Sequence, residues 1–141
     1  MKKQFPFHIA LPVKNVAKTK EFYVNLLELE TGREDKNWID INFFGNQITF
    51  QENPGAVYNK NHKTFNQLNV PISHFGVILD EEEWTKYKQI AEENNLFFKK
   101  PKVFFQDQIG EQNSFFIQDP SGYSIEFKLF INDEEIFTKQ I

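Results

Sequence analysis

Hydrophobic and polar residues follow a pattern along the chain that occurs twice. In the first copy, the apolar run at 7–13 predicts a strand, and apolar residues at helical spacing follow it at 16–27. Two further apolar runs, at 38–45 and 47–53, are joined by a Gly-Asn dipeptide that is typical of a hairpin turn. The first copy is therefore predicted to contain a strand, a helix and then two or three strands.

The second copy has the same order of elements. A strand is predicted at 73–79, a helix begins after Asp80 with acidic residues in its first turn, and a strand or extended arm follows at 96–105. The last two strands are joined by the Asp-Pro-Ser-Gly sequence at 119–122, a strong turn signal. Two β-α-β-β-β units in one chain indicate an α+β fold. We interpret the chain as one domain, 1–141, with modules 5–58 and 73–130, a linker at 59–72 and a tail at 131–141.

Composition narrows the classes of function. The chain has 17 phenylalanines and no cysteine, which excludes disulfides and thiolate chemistry and is compatible with a cytoplasmic protein. The net charge of −4 argues against a nucleic-acid partner, because such proteins need a basic face. The cluster of Lys99, Lys100 and Lys102 is interpreted as a solvated turn between apolar strands. The N-terminus lacks the cleavage site of a signal peptide. No apolar stretch approaches the ~18 residues that span a bilayer, so no membrane partner is expected.

Histidines stand at the start of the first strand in both copies. They are His8 and His74, and the chain has three histidines in all. Glu126 lies in a largely apolar strand, where burying a carboxylate is costly unless it is paired or binds a cation. By itself, Glu126 is more often exposed beside Lys128, and a single strand histidine is more often a core or surface residue. Together, two histidines and one carboxylate form the ligand set typical of non-haem Fe(II) sites, which other divalent metals also use. Gln51, in the last strand of the first copy, is taken to correspond to Glu126.

Five stretches of the sequence carry a family resemblance: HIALPV, FYVNLLELETGR, WIDINFFGNQITFQ, HFGVIL and FFIQDPSGYSIEFKLF. Over about residues 5–130 the chain resembles the vicinal oxygen chelate superfamily. This superfamily includes glyoxalase I, extradiol dioxygenases and bleomycin- and fosfomycin-resistance proteins. The resemblance implies two βαβββ modules that form a cup-shaped mixed β-sheet around a divalent metal, with ligands His8, His74 and Glu126. It also implies a small-molecule substrate and a homodimer, with Fe²⁺ as the first choice of metal and Zn²⁺, Ni²⁺ or Mn²⁺ as alternatives.

The resemblance implies first a dioxygenase that cleaves catechol-type rings, because glyoxalase-type relatives tend to have a fourth ligand, commonly Glu, where Gln51 stands. Extradiol enzymes also use a histidine shortly before the second ligand, and His62 lies near that place. Their tyrosine on the strand before the last turn is replaced here by Phe115 and Phe116. The catalytic candidates are therefore His62 and, in place of that tyrosine, Tyr123.

Two other functions stay open at this point. One is a glyoxalase I-like lyase or isomerase, in which Glu126 would leave the metal and act as a base. The other is a bleomycin-resistance-like binding protein without turnover, which would hold a flat ligand between aromatic walls. Most of the phenylalanines are equally explained by core packing. The family also often has glycine where Glu28 stands, so the exit from the first helix is expected to differ. The candidate substrate-binding residues are Arg33, Asn42, Phe44, Gln51, Phe105, Phe116 and Lys128.

Overall fold

The computed structural model describes residues 3–55 and 65–139. The chain forms two compact units, which are described separately below. Unit 1 contains Met1–Lys60 together with Asp119–Gly122, and unit 2 contains Asn61–Gln118 together with Tyr123–Ile141.

Unit 1 contains a four-stranded mixed sheet and one helical segment. Strands β1 (His8–Val13), β2 (Glu30–Asp35), β3 (Trp38–Phe43) and β4 (Asn46–Glu52) lie in the order β1-β4-β3-β2. β1 is parallel to β4, whereas the other two pairs are antiparallel. One face of the sheet is buried by alternating apolar residues, since side chains along a strand point to opposite faces. These buried residues include Val13, Ile39, Ile41, Phe43, Ile48 and Phe50.

The helical segment of unit 1 changes type along its length. Helix α1 (Val16–Lys20) is capped by the Asn15 side chain, and a π-helical segment continues it at Glu21–Leu26. The segment ends with Glu28 at φ 60°, a left-handed conformation that favours glycine. The exit from this helix therefore keeps the backbone geometry of a glycine cap, although the residue is a glutamate.

The Asp-Pro-Ser-Gly turn belongs to unit 1, although it connects two strands of unit 2. The Tyr23 hydroxyl donates a buried hydrogen bond of 2.8 Å to Asp119, whose other oxygen accepts from the Ser121 amide at 2.9 Å. The Ser121 hydroxyl in turn accepts from the Lys14 amide at 3.0 Å. These bonds give the buried Asp119 carboxylate neutral hydrogen-bond donors, which offset the free-energy cost of burying it.

Unit 2 contains the second sheet and the longer helix. Strands β5 (Phe75–Ile78), β6 (Phe97–Phe104), β7 (Gln112–Gln118) and β8 (Ser124–Phe130) lie in the order β5-β8-β7-β6, and β5 is parallel to β8. Helix α2 (Glu81–Glu93) is capped by Asp80, whose side chain accepts a hydrogen bond from the Glu83 amide. It packs on one face of the sheet, where Tyr87 stacks on Phe127 and the Trp84 indole donates to the Phe127 carbonyl.

Two four-stranded mixed sheets with few helices confirm the α+β fold expected from the repeat. Strand β2 was not distinguished in the sequence, because all six of its residues are exposed and it has no apolar alternation. The strand or extended arm predicted at 96–105 is confirmed as β6, and the interpretation of its lysine cluster as a turn is wrong. The tail contains a short 3₁₀ turn at Asp133–Glu135. No helix in the described parts of the chain is long and apolar enough to cross a membrane.

A close backbone approach fixes the pairing of β5 with β8. Gly76 pairs with Glu126, and a Cβ atom added at Gly76 would clash with the Glu126 carbonyl oxygen. Real Cβ atoms do not come this close to backbone atoms, so any larger residue would push the strands apart.

We predict that Gly76→Ala lowers the free energy of unfolding by roughly 1–3 kcal/mol, because β5 must move away from β8. Chemical denaturation of both proteins measures this loss. Gly55→Ala is the matched control, since its added Cβ would meet only the Asn53 side-chain oxygen at 3.8 Å, an ordinary contact. Equal stability of the two variants would contradict the close approach.

Candidate functional site

Unit 2 brings two of the predicted metal ligands together. His74 lies just before β5, and Glu126 lies on the paired strand β8. The Nε2 atom of His74 is 3.5 Å from the Oε1 atom of Glu126, and the Nζ atom of Lys128 is 3.4 Å from the same oxygen. Because β8 alternates, Glu126 and Lys128 lie on the face opposite Phe127 and helix α2. Their side chains are only 12% and 26% exposed, so these charges are partly removed from water.

The ring orientation of His74 is set by the backbone. Its Nδ1 atom lies 2.6 Å from the Pro71 carbonyl oxygen, and a carbonyl can only accept, so Nδ1 carries the proton. Phe116 packs edge-on against the ring with centroids 5.2 Å apart. In the neutral ring, Nε2 therefore presents a lone pair toward the Glu126 carboxylate. Two such electron-rich atoms require a cation between them, and that cation is either a proton or a metal ion.

The charges around Glu126 shift both pKa values. The hydrogen bond to Glu126 is the main cause that raises the pKa of His74, and it outweighs the opposing effect of burial. Burial alone would raise the pKa of Glu126. The bond to His74 and the positive charge of Lys128 overcome this effect, so the pKa of Glu126 is lowered. The nearby Ser114 hydroxyl also favours the ionised carboxylate, although its oxygen completes no hydrogen bond of good geometry in the described structure.

The strand register of unit 1 gives Glu126 a different counterpart from the one taken from the sequence. In unit 2, the residue after His74 pairs with Ile125, and the next residue pairs with Glu126. In unit 1, the residue after His8 pairs with Ile48, and the next residue pairs with Thr49. The counterpart of Glu126 is therefore Thr49, and Gln51 lies two residues further along β4. His8 and Gln51 are both exposed on unit 1.

A buried carboxylate of unit 1 was missed in the sequence. Asp40 is 4% exposed and pairs with Thr49 across β3 and β4. Its two oxygens accept from the Thr49 hydroxyl at 2.6 Å and the Gln47 amide at 3.2 Å. The Nε atom of Arg33 is 3.5 Å from the same carboxylate. The signal was present, because Asp40 is a single acid in an apolar strand, as Glu126 is.

The other candidate residues lie at several places. Arg33 and Asn42 line a cavity of about 310 Å³ in unit 1, where the Asn42 side chain accepts from the Gly45 amide and shapes the turn. Phe44 is in that turn with φ 52°, and Phe105 directly follows β6 with φ 56°. Phe116 and Lys128 lie beside Glu126, and Tyr123 immediately precedes β8. His62 lies outside the described residues.

The described ranges contain no group of three or more His, Cys, Asp or Glu side chains that could hold a metal ion together. His74 and Glu126 fit a metal site as a pair, since imidazole and carboxylate are common ligands and the Nδ1 bond to a carbonyl is the usual support of a ligating histidine. Two ligand atoms that each lie about 2.1 Å from one ion are separated by roughly 3.0–3.5 Å. His8 belongs to the other unit.

Comparisons with known proteins agree with this architecture. Residues 6–127 match the family model of the glyoxalase/bleomycin resistance protein/dioxygenase superfamily. A glyoxalase/bleomycin resistance protein/dioxygenase from Alicyclobacillus acidocaldarius is 23% identical, with a TM-score of 0.79 over 97% of this chain and 100% of that one. The fosfomycin resistance protein FosX from Listeria monocytogenes is 21% identical, with a TM-score of 0.65 over 96% of this chain and 98% of that one.

A third solved structure, lactoylglutathione lyase from Agrobacterium tumefaciens, is 12% identical, with a TM-score of 0.59 over 92% of this chain and 96% of that one. At these identities the structures show a shared fold. No curated protein sequence matches the chain.

We predict that the pKa of His74 in the metal-free protein lies above its ordinary value of 6.5 and falls in Glu126→Gln, because the main cause of the shift is removed. NMR titration of the histidine ring protons measures both values. Since the folded pKa is raised, protonated His74 stabilises the fold below its unfolded pKa, and this stabilisation is lost as the pH rises through the folded pKa. Glu92→Gln, an exposed position on α2, is the control. An unchanged His74 pKa in Glu126→Gln would show that the two side chains do not interact.

Proposed function

Because the chain belongs to the glyoxalase/bleomycin resistance protein/dioxygenase superfamily, we propose that it is a metal-dependent enzyme that acts on a small molecule. His74 and Glu126 provide two ligands of the metal, and His8 provides the third. The observation that carries this proposal is the Nε2 lone pair of His74 facing the Glu126 carboxylate, while Nδ1 is held by Pro71. This arrangement favours a cation at that place.

Within the superfamily, the proposal is a dioxygenase-like enzyme with a two-histidine, one-carboxylate site, and Fe²⁺ is the first choice of metal. The residue at the position of a fourth ligand favours a metal site with three protein ligands rather than four. Thr49 occupies that position, and its hydroxyl already donates a hydrogen bond of 2.6 Å to Asp40. When bound, the metal would act as a template and Lewis acid for a substrate with two neighbouring oxygens.

The protein side chains have separate roles in this proposal. The Pro71 carbonyl orients His74, and the positive charge of Lys128 adds to the effect of His74 in favouring ionised Glu126. Phe116 is buried against the His74 ring and offers no proton. The acid-base role is therefore assigned to Tyr123, which immediately precedes the strand of Glu126, and to His62.

We predict about one iron per chain in protein purified without oxygen or chelators. Loss of a charged or imidazole ligand weakens metal binding strongly, so His8→Ala, His74→Ala and Glu126→Ala should each retain less than about a tenth of this metal. Metal analysis of each purified protein is the measurement, followed by oxygen uptake with catechols. Glu92→Ala removes an exposed carboxylate elsewhere in unit 2 and should keep the metal.

The identity of the metal separates the candidate functions. Nickel or zinc in place of iron would favour a glyoxalase-type lyase. If the wild type takes up no metal after each divalent ion is added back, the ligand assignment is wrong, and a binding protein without turnover becomes the better account.

We also propose a homodimer, because several large apolar side chains are exposed on the described units. Phe5, Ile131 and Phe137 are 77%, 64% and 93% exposed, and burying such side chains at a subunit contact would be favourable. Light scattering after size-exclusion chromatography is predicted to give twice the mass of the 141-residue chain. A monomer at all concentrations tested would contradict this prediction.

A further inference from the structure

Three lysines share one face of the unit 2 sheet with Glu126. On that face, Lys99 pairs with Phe116, which pairs in turn with Glu126. In the neighbouring row, Lys102 pairs with Ser114, which pairs with Lys128. Residues directly opposite one another on adjacent strands point to the same side of a sheet. The basic side chains therefore form one surface beside the His74–Glu126 pair.

A small cavity lies among these lysines. It has a volume of about 100 Å³ and is lined by Lys99, Lys100, Lys102, Ser114 and Phe116, with the segment 68–70 along one side. We call it the lysine pocket. A water molecule takes about 30 Å³ in the liquid, so the pocket accommodates a group of roughly three to five heavy atoms. This is the size of a carboxylate, phosphate or phosphonate group rather than of a whole substrate.

Among the described residues, no carboxylate forms an ion pair with the lysines that line the pocket. The Nζ atoms of Lys99 and Lys102 lie over aromatic rings, 4.8 Å from the Phe65 centroid and 5.2 Å from the Phe104 centroid. In the described structure neither forms an ion pair, whereas Lys128 and Glu126 pair with each other. This concentration of positive charge is local, because the chain as a whole carries a net charge of −4.

A buried hydroxyl also lines the pocket. The Ser114 oxygen is buried and completes no hydrogen bond of good geometry with any described residue. Buried polar atoms are normally satisfied, and this hydroxyl lies near Glu126 without a well-formed hydrogen bond to it, so it is available to a ligand in the pocket. A hydroxyl and nearby ammonium groups are donors, and the complementary ligand is an anion with several acceptor oxygens.

We propose that the lysine pocket binds the anionic end of the substrate, a carboxylate or a phosphorus oxyanion, while the reacting end lies at His74 and Glu126. Lys99 and Lys102 supply the charge, and the Ser114 hydroxyl donates a hydrogen bond. This inference rests on the proposed function for the position of the reacting end, but anion binding in the pocket requires no metal. It narrows the substrate class to small molecules that carry a permanent negative charge.

The test uses metal-free protein in the presence of a chelator, so that it is independent of the metal assignment. Inorganic phosphate, methylphosphonate and acetate are titrated separately into ¹⁵N-labelled protein at constant ionic strength, and backbone amide shifts are followed by NMR. We expect saturable shifts at Lys99, Lys102 and Ser114. The anion that binds more tightly identifies the carboxylate or the phosphorus oxyanion as the natural group.

Two variants test the residues, and one controls for net charge. Lys102→Gln and Ser114→Ala should each weaken binding of the preferred anion about three- to tenfold. Lys102 is exposed, and the Ser114 hydroxyl has no well-formed bond to lose, so both variants should fold. Lys36→Gln makes the same change of charge on unit 1 and should leave the dissociation constant unchanged.

The proposal is overturned if none of the three anions gives saturable shifts at the pocket. It is also overturned if Lys36→Gln weakens binding as much as Lys102→Gln, because the effect would then come from net charge. Saturable anion binding together with no uptake of metal would support the pocket and refute the metal site. Metal binding by His74 and Glu126 without anion binding would support the metal site and overturn the proposed lysine pocket.

Discussion

The candidate site depends on the register between the parallel strands β5 and β8. Gly76 lies against the backbone of Glu126, and this contact leaves no space for a side chain. A shift of one residue along β8 would turn Glu126 toward helix α2 and bring Phe127 to the open face. The apolar contacts of Phe127 with Tyr87 and Phe115 oppose that shift. Core packing on one face of the sheet thus positions the charged residues on the other.

Each module has a buried or largely buried carboxylate, and the two carboxylates have different kinds of partners. Asp40 of unit 1 accepts from the neutral Thr49 and Gln47 side chains, with the Arg33 guanidinium nearby. Its bonds do not require a change of protonation, so we interpret this cluster as structural. Glu126 has His74 and Lys128 as partners, and the bond to His74 exists only when a cation lies between them. The carboxylate of unit 1 therefore belongs to a fixed network on β3, whereas the carboxylate of unit 2 belongs to an adjustable network on β8.

The repeat, the helix caps and the main strands could be predicted from the sequence because each has a local signal. The second helix begins after Asp80 as expected, and the Asp80 side chain caps it. Register between distant strands has no such signal, and this is why Gln51 was chosen instead of Thr49. The Lys99–Lys102 segment lies within the strand or arm predicted at 96–105, but it was also interpreted as a turn, because three lysines and a proline hide the strand pattern at the edge of a sheet.

Lys128 connects the two halves of the unit 2 surface. Its ammonium group is 3.4 Å from Glu126, and its backbone is paired with Ser114, which lines the lysine pocket. Replacing Lys128 would change the charge beside the carboxylate and beside the pocket at once, so its loss would not distinguish metal binding from anion binding. Lys102 is different, because it lies two strands from Glu126 and forms no ion pair with it in the described residues. Replacing Lys102 therefore tests anion binding in the lysine pocket without changing the charge beside the proposed metal ligand Glu126.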